Sequence, residues 1–140
     1  MKTVVIGCGN IGVKRINAIQ NISEIEITAL VEINSQQKQY LENNYNYPVA
    51  NDYQQYLTDN SIDAFIISTP THPAIKIIED ALRAGKHVLC EKPLGDKIFQ
   101  TETVTNLANE NNLVLHIGFN IRYDEGLQKA KSLINEGKIG

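Results

Sequence analysis

Three glycines near the amino terminus have the spacing that lets a backbone approach phosphate groups. They lie in Gly7-Cys8-Gly9-Asn10-Ile11-Gly12, which matches G-x-G-x-x-G, after the apolar run Thr3–Ile6 and before residues at helical spacing. In such a loop the first glycine permits a tight turn, the second lets the backbone approach a pyrophosphate, and the third lets the helix pack closely. The segment is therefore predicted to bind phosphates at a helix N-terminus, and ordinary turn glycines are the alternative.

An acidic residue, Glu32, follows the second apolar run, Ile27–Val31, about 20 residues after the last of these glycines. At that position a carboxylate accepts hydrogen bonds from the adenosine ribose of a dinucleotide, and it repels a 2′-phosphate. The next residues, Ile33, Asn34 and Ser35, include no cation, which favours NAD over NADP. The two polar residues of that set can still hydrogen-bond a phosphate, so NADP stays open. A solvated acid at the end of a strand is the other interpretation.

A polar turn, Ser68-Thr69-Pro70-Thr71-His72-Pro73, closes the fourth apolar run. The carboxyl ends of strands in a doubly wound sheet face the ligand crevice, so we expect this turn to line a dinucleotide. Ser68, Thr69 and Pro70 are the expected contacts. His72 is a further candidate, and its alternative is helix capping or loop packing.

The fifth apolar run ends in Glu91-Lys92-Pro93 on the same predicted edge of the sheet. A lysine at this place is within reach of a nicotinamide ring and of a carbonyl or hydroxyl group on a substrate. Its ammonium group would polarise that oxygen or relay its proton. Lys92 is therefore the candidate catalytic residue, with an ordinary surface lysine as the alternative.

Short apolar runs alternate with longer amphipathic stretches about six times, and this order predicts strands joined by helices. Right-handed crossovers then give a doubly wound parallel α/β sheet of the Rossmann type, with strand order 3-2-1-4-5-6. No linker, repeat or low-complexity tract interrupts the pattern, so we expect residues 1–140 to form one domain. The predicted strands are Thr3–Ile6, Ile27–Val31, Pro48–Ala50, Ala64–Ser68, His87–Cys90 and Leu113–Ile117.

The predicted helices are amphipathic, each with an apolar side. The first helix is expected to turn Lys14 and Arg15 away from the sheet. The second is expected to begin at the capping residue Ser35. Another runs from about Pro73 to a stop at Gly85. The expected apolar positions are Ile11, Ile16, Ile19 and Ile22 in the first helix, Ala74, Ile77, Ile78, Ala81 and Leu82 in the helix after the fourth strand, and Leu127, Ala130, Leu133 and Ile134 in the last.

Composition bounds the class of protein. Of 140 residues, 42% are hydrophobic and 21% are charged, which is typical of a globular chain. A net charge of −3 gives no broad basic field and argues against nucleic acid as a partner. We find neither an apolar run of roughly 20 residues nor a secretory signal pattern, so we expect a cytoplasmic protein without a membrane partner.

Cys8 and Cys90 end strands that lie two places apart, beyond disulfide reach, so two free thiols and no metal site are expected.

Four segments together resemble a known family. The block Ala84-Gly85-Lys86-His87-Val88-Leu89-Cys90-Glu91-Lys92-Pro93-Leu94 is similar to the signature of the Gfo/Idh/MocA oxidoreductases, the relatives of glucose–fructose oxidoreductase and inositol dehydrogenase. The amino-terminal Val4–Gly12, the turn Ser68–His72 and the late Gly118-Phe119-Asn120-Ile121-Arg122-Tyr123 are similar to that family as well. The resemblance runs essentially from residue 2 to residue 140, with the motifs in the family order.

The resemblance implies NAD(P)-linked oxidation or reduction of a hydroxyl group on a sugar, nucleotide sugar, inositol or related polyol. It implies that Lys92 stands beside substrate and nicotinamide, that Glu91 helps to fix the motif, and that Asn120 lies near the nicotinamide or the substrate. It also implies a cis Lys92–Pro93 bond, which would aim the lysine into the crevice.

The family's following domain, a large and mostly antiparallel sheet, is not part of these 140 residues. By resemblance, that domain supplies most substrate contacts and the oligomer interface. We therefore expect residues 1–140, as an excised domain or a naturally short chain, to bind cofactor without appreciable turnover. An uncovered apolar face on the last helix would favour self-association. Two other classes stay open: a dinucleotide-binding regulator without turnover, and another Rossmann module such as a methyltransferase, which the Glu91-Lys92-Pro93 block does not support.

Overall fold

Six short strands lie side by side in one parallel sheet in the computed structural model of the chain, which describes residues 1–139. The order across the sheet is β3-β2-β1-β4-β5-β6, so the predicted doubly wound topology is confirmed. The strands are β1 (Lys2–Ile6), β2 (Glu26–Val31), β3 (Val49–Ala50), β4 (Ala64–Ile67), β5 (His87–Cys90) and β6 (Leu115–Ile117).

Helices connect the strands and cover both faces of the sheet. They are α1 (Asn10–Ile19), α2 (Ser35–Asn44), α3 (Gln54–Leu57), α4 (Thr71–Arg83), α5 (Ile98–Glu110) and α6 (Glu125–Asn135), with a short 3₁₀ turn at Asn120–Tyr123. None of these helices in residues 1–139 has the length and apolar character that a membrane crossing requires.

The core has two halves because alternate residues of β1 point to opposite faces of the sheet. Val4 and Ile6 pack towards α4 and α5, whereas Val5 packs towards α1 and α2. The apolar face predicted for α4 is confirmed, since all five of its members are buried. All four residues of β4 are buried, as expected for a strand that is covered on both faces.

Several predicted element boundaries are wrong for local reasons. Asn34, not Ser35, caps α2, and its side chain accepts a hydrogen bond from the Gln37 N–H. α4 begins at Thr71 rather than about Pro73, because a proline in the first helical turn removes only an N–H that has no helical partner. β6 begins later than predicted because Leu113 donates its N–H back to Ala108 and so closes α5.

One predicted helix face differs from the structure. In α1, Ile16 and Ile19 are buried, but Ile11 is exposed and Ile22 lies exposed beyond the end of the helix. α6 has no buried residue, as expected for an apolar face without its cover: Leu127 and Ile134 are exposed, and Ala130 and Leu133 are half-buried.

The register of the strands aligns their carboxyl ends at one edge of the sheet. Their last residues pair across the sheet in the order Val31, Ile6, Ile67, Cys90 and Ile117. Backbone hydrogen bonds of 2.7 to 3.0 Å extend the pairing between neighbouring strands by one residue past the ends of β1, β4 and β5. The residues placed at this edge are Gly7, Glu32, Ser68, Glu91 and Gly118, each of which begins or adjoins a segment with predicted chemistry.

Candidate functional site

A cleft of about 1010 Å³ opens along the carboxyl edge of the sheet. Most of the residues that the sequence singles out line it, although they come from five separate stretches of chain. These are Gly7, Gly9, Asn10, Ile11, Glu32, Ser68, Thr69, Pro70, Glu91, Lys92 and Asn120. Two predicted residues lie outside this lining. Gly12 packs beneath the glycine segment, and His72 is exposed in the first turn of α4.

The three glycines of the first motif meet different surroundings. Gly7 has a φ of +80°, and a Cβ there would lie 2.6 Å from Thr69 Cγ2. A Cβ on Gly12 would lie 2.1 Å from the carbonyl oxygen of Gly7, so this contact joins helix and strand. A Cβ on Gly9 would meet no protein atom within 4 Å. Gly7 and Gly12 therefore serve internal packing, whereas Gly9 borders open space in the cleft.

The N-terminus of α1 faces this open space without a side-chain cap. Gly9 occupies the capping position, and the first N–H that bonds back to it is that of Val13, at 2.9 Å. The N–H groups of the first helical turn have no partner within the helix. Together with the positive end of the helix dipole, they form a place that suits a phosphate group.

Glu32 is only 9% exposed and holds the glycine segment in place. Its Oε2 accepts a hydrogen bond from the Cys8 N–H and its Oε1 accepts one from the Asn34 N–H, both at 2.9 Å. Gln37 Nε2 donates to the carbonyl oxygen of the same Cys8, at 2.6 Å. The interpretation of Glu32 as a solvated acid is therefore wrong. Each carboxylate oxygen keeps a further lone pair for a ligand.

Two hydroxyl groups in the cleft wall have no hydrogen-bond partner among the described residues. They belong to Ser68 and Thr69, and both oxygen atoms are buried. Buried hydroxyl groups are almost always hydrogen-bonded in folded proteins, so this pair fits a polar ligand in the cleft. A dinucleotide, with its ribose hydroxyls and phosphate oxygens, offers suitable partners.

The far end of the cleft contains Lys92, whose side chain is exposed and lines the cleft. The peptide bond between Lys92 and Pro93 is cis, which confirms the implication of the resemblance. The neighbouring Glu91 is paired with Arg15 of α1. The expectation that Arg15 turns away is wrong, because this contact holds its side chain partly buried, with 22% of it exposed.

The opposite end of the cleft has apolar walls and a polar cluster that the sequence did not indicate. Ile33, Pro73 and Ile77 line it together with Tyr53 and Lys76. The Tyr53 hydroxyl donates to Asp80 Oδ2 at 2.8 Å, and Lys76 pairs with the other oxygen of Asp80. Burial, reinforced by this bond to the Asp80 carboxylate, raises the pKa of Tyr53 to about 12. Lys76 is a cation beside the cleft, and its charge is compensated by Asp80.

Both cysteines are free and buried, as predicted. Burial, with a smaller contribution from Glu32, raises the pKa of the Cys8 thiol to about 12. Burial, with a smaller contribution from Glu91, raises the pKa of Cys90 to about 11. Such thiols are poor nucleophiles at neutral pH. Within residues 1–139, no three His, Cys, Asp or Glu side chains lie close enough to share a metal ion.

Comparison with known proteins assigns the chain to a family. Residues 1–119 match the model of the GFO_IDH_MocA oxidoreductase family, described as an NAD-binding Rossmann fold. The chain belongs to this family. The resemblance in the Glu91-Lys92-Pro93 block and the glycine segment is thereby confirmed.

Individual relatives are longer than this chain. It is 31% identical over 139 residues to the uncharacterized oxidoreductase YrbE of Bacillus subtilis, covering 99% of this chain and 41% of that protein. The scyllo-inositol dehydrogenase of Lactobacillus casei, solved with NAD(H) and scyllo-inositol, superposes with a TM-score of 0.89 at 29% identity, covering 100% of this chain and 42% of that one. The 3-ketoreductase KijD10 of Actinomadura kijaniata, solved with NADP, superposes with a TM-score of 0.89 at 28% identity, covering 100% of this chain and 43% of that one. The chain thus spans less than half the length of these relatives.

Proposed function

We propose that the chain binds NAD(H) in this cleft and that its protein transfers hydride between the nicotinamide and a CH–OH carbon of a polyol or sugar. The observation that carries the proposal is the convergence of the uncapped helix N-terminus at Gly9, the carboxylate of Glu32 and the ammonium of Lys92 on one cleft. These three groups match the pyrophosphate, the adenosine ribose and the reacting end of a dinucleotide, in that order.

The binding residues divide along the length of the cofactor. The N–H groups of the first turn of α1 would hold the pyrophosphate, and Gly9 would let it approach. Glu32 would accept hydrogen bonds from the adenosine ribose, and its negative charge would disfavour the 2′-phosphate of NADP. The unpartnered hydroxyls of Ser68 and Thr69, which follow β4, would bond the cofactor between the glycine segment and the Lys92 end of the cleft. We therefore propose NAD rather than NADP as the preferred cofactor.

Lys92 would act on the substrate. A bound nicotinamide would supply the hydride acceptor. In the oxidation direction the uncharged Nζ amine of Lys92 would accept the hydroxyl proton as the hydride leaves the substrate carbon, and in the reduction direction its ammonium would return that proton to the carbonyl oxygen. Asn120, which lines the same end of the cleft, would orient the substrate or the nicotinamide amide.

The substrate class rests on the family and on the relatives named above, which include a dehydrogenase solved with scyllo-inositol. We also propose that residues 1–140 form the cofactor-binding domain and that turnover needs the further length that these relatives possess. Holding substrate in line with cofactor accounts for ~7–11 kcal/mol of a reaction barrier, and residues outside this chain would supply much of that positioning.

Location and partners complete the proposal. We place the protein in the cytoplasm, which two free, buried thiols suit. Its partners would be the cofactor and a small polyol or sugar rather than nucleic acid or a membrane, in keeping with the net charge of −3. The exposed apolar side chains of α6 would let the isolated chain self-associate.

The experiment compares NADH production from a panel of polyols and sugars by two proteins, the full-length gene product and residues 1–140 alone. We expect turnover only in the full-length gene product. In its Lys92→Met variant we expect the rate to fall by about 100-fold or more, as is usual when a positioned acid–base group is removed. Lys14→Met, which removes an exposed lysine from α1, is the matched control and should retain activity. Cofactor binding without turnover on the whole panel would favour a regulatory module instead.

A further inference from the structure

One guanidinium group joins three separate elements at the Lys92 end of the cleft. Arg15 lies in α1, Glu91 follows β5 directly, and Asn120 begins the 3₁₀ turn after β6. Arg15 Nε donates to Glu91 Oε1 at 2.8 Å, and its Nη2 donates to the same oxygen and also to Asn120 Oδ1, the latter at 2.9 Å. The ion pair is largely shielded, with 22% of the Arg15 side chain and 17% of the Glu91 side chain exposed.

The chain leaves room for this arrangement at Gly118. A Cβ on Gly118 would lie 2.7 Å from Arg15 Nη2 and 3.2 Å from both carboxylate oxygens of Glu91. Any other residue at this position would therefore press on the ion pair. The backbone N–H of Gly118 bonds to the carbonyl oxygen of Cys90 at 2.8 Å, which fixes the glycine over the pair. The contact thus involves the residues that directly follow β5 and β6, together with α1.

The position of the pair along the cleft follows from the order of the strands. Glu32 follows β2, the glycine segment follows β1 and Glu91 follows β5, so the glycine segment lies between the two acids. A dinucleotide whose pyrophosphate lies at the glycine segment and whose adenosine ribose lies at Glu32 extends its nicotinamide towards β4, β5 and β6. Glu91 and Asn120 line that end of the cleft.

The charge at this end matters because the two forms of the cofactor differ in charge at the nicotinamide ring. The ring of NAD⁺ carries a positive charge and the ring of NADH carries none. An uncompensated carboxylate near the ring would favour the oxidised form, and an uncompensated guanidinium would favour the reduced form. Because Arg15 and Glu91 are paired, they present neither an uncompensated carboxylate nor an uncompensated guanidinium to the ring.

Arg15 also determines which group Asn120 offers to the cleft. A guanidinium has only donors, so the amide oxygen of Asn120 must face it. The amide NH₂ of Asn120 has no partner within residues 1–139, so it can donate a hydrogen bond to a carbonyl oxygen in the cleft.

We propose that Arg15 is a positioning residue of the nicotinamide end, which neutralises Glu91 and orients Asn120, and thereby sets the relative affinity of the site for NAD⁺ and NADH. The inference rests on the proposed function, since it requires the nicotinamide to lie at this end. It assigns Arg15 a role through its two partners rather than through direct contact with substrate.

The test measures the dissociation constants of NAD⁺ and NADH by calorimetry, in the full-length gene product, and takes their ratio Kd(NAD⁺)/Kd(NADH). Arg15→Met should lower the ratio about fivefold and Glu91→Gln should raise it about fivefold, because a partly screened unit charge contributes on the order of 1 kcal/mol. The double variant Arg15→Met/Glu91→Gln should restore the wild-type ratio. Any effect of Arg15 on the pyrophosphate is common to both forms and cancels in the ratio.

Lys14→Met is the matched control, because it removes the same charge from the same helix at an exposed position. Its ratio should equal that of the wild type. Shifts of the same sign in Arg15→Met and Glu91→Gln, or no shift in either, would overturn the inference while leaving cofactor binding intact. Failure of the wild type to bind either form would overturn the proposed function as well. If Arg15→Met does not fold, Glu91→Gln decides alone, and a ratio that is unchanged or lowered there contradicts the proposal.

Discussion

The two ends of the cleft each place a glutamate directly at the end of a strand, and they treat its charge differently. Glu32 accepts hydrogen bonds from two backbone N–H groups, which are neutral donors, so its negative charge stays in the cleft. Glu91 is paired with Arg15, so its charge is cancelled. The adenosine end can thus discriminate by charge against a 2′-phosphate. At the nicotinamide end the Arg15–Glu91 pair adds no net charge beside a ring that changes its own charge, and Lys92 is the charged group that remains there. The same residue type at equivalent positions serves two purposes because its partners differ.

The largest expected effect comes from the glycine segment, which lies between the two ends and serves both. Gly9→Val should abolish measurable NADH binding and leave the fold intact, since its side chain would enter open space where the pyrophosphate belongs. Gly12→Val should instead prevent stable folding, because its side chain would collide with the carbonyl oxygen of Gly7. Circular dichroism and calorimetry separate the two outcomes. Equal NADH affinity in wild type and Gly9→Val would refute the phosphate site.

A smaller effect is expected when the two acids are changed in turn. Glu32→Gln places an amide NH₂ against one of two backbone N–H donors, so we expect a loss of about 1–3 kcal/mol in the free energy of unfolding. The loss of charge should also shift the preference between NAD and NADP about tenfold towards NADP. Glu91→Gln is the control and should leave that preference unchanged. An NAD to NADP preference that is the same in wild type and Glu32→Gln would contradict the role of Glu32.

The smallest effect concerns the thiols beside the two acids. Because their pKa values are raised to about 12 for Cys8 and about 11 for Cys90, both should resist iodoacetamide at pH 8 in the folded protein, and Cys8 should react more slowly. The unfolded chain loses these protons first, so the stability they contribute is present below pH ~8.5 and is lost as the pH rises towards the folded values. Mass spectrometry of Cys8→Ala and Cys90→Ala, native and in urea, measures the rates. Faster labelling of Cys8 than of Cys90 would contradict the stronger effect of burial on the pKa of Cys8.

The strand order and the positions of Gly7, Glu32, Ser68 and Lys92 could be predicted because they depend on local patterns. An apolar run followed by a glycine segment or a polar turn predicts a strand end at that place, and a parallel sheet brings such ends to one edge. The cap of α2 and the first residue of β6 could not be fixed in this way. They depend on which of two adjacent polar residues reaches the Gln37 N–H, and on the closure of α5 by Leu113.

The residues missed in the site are those whose partners lie far away in sequence. Helical spacing placed Arg15 on the face turned away from the sheet, and only the packing of Glu91, 76 positions further along the chain, shows where its guanidinium goes. The contact between Gln37 and Cys8 was missed for the same reason. Gly118 offered a signal, since a glycine directly after an apolar run indicates a close approach, but the sequence does not identify the atom that approaches it.

The most direct test of the account is a calorimetric titration of NADH into the protein. We expect one NADH per chain with a Kd below ~100 μM, equivalent to more than about 5 kcal/mol of binding free energy, and we expect NAD⁺ to compete for the same site. A saturable signal with this stoichiometry would support a dinucleotide that lies between Glu32 and Lys92. An absence of binding at millimolar NADH, in a protein shown to be folded, would contradict it.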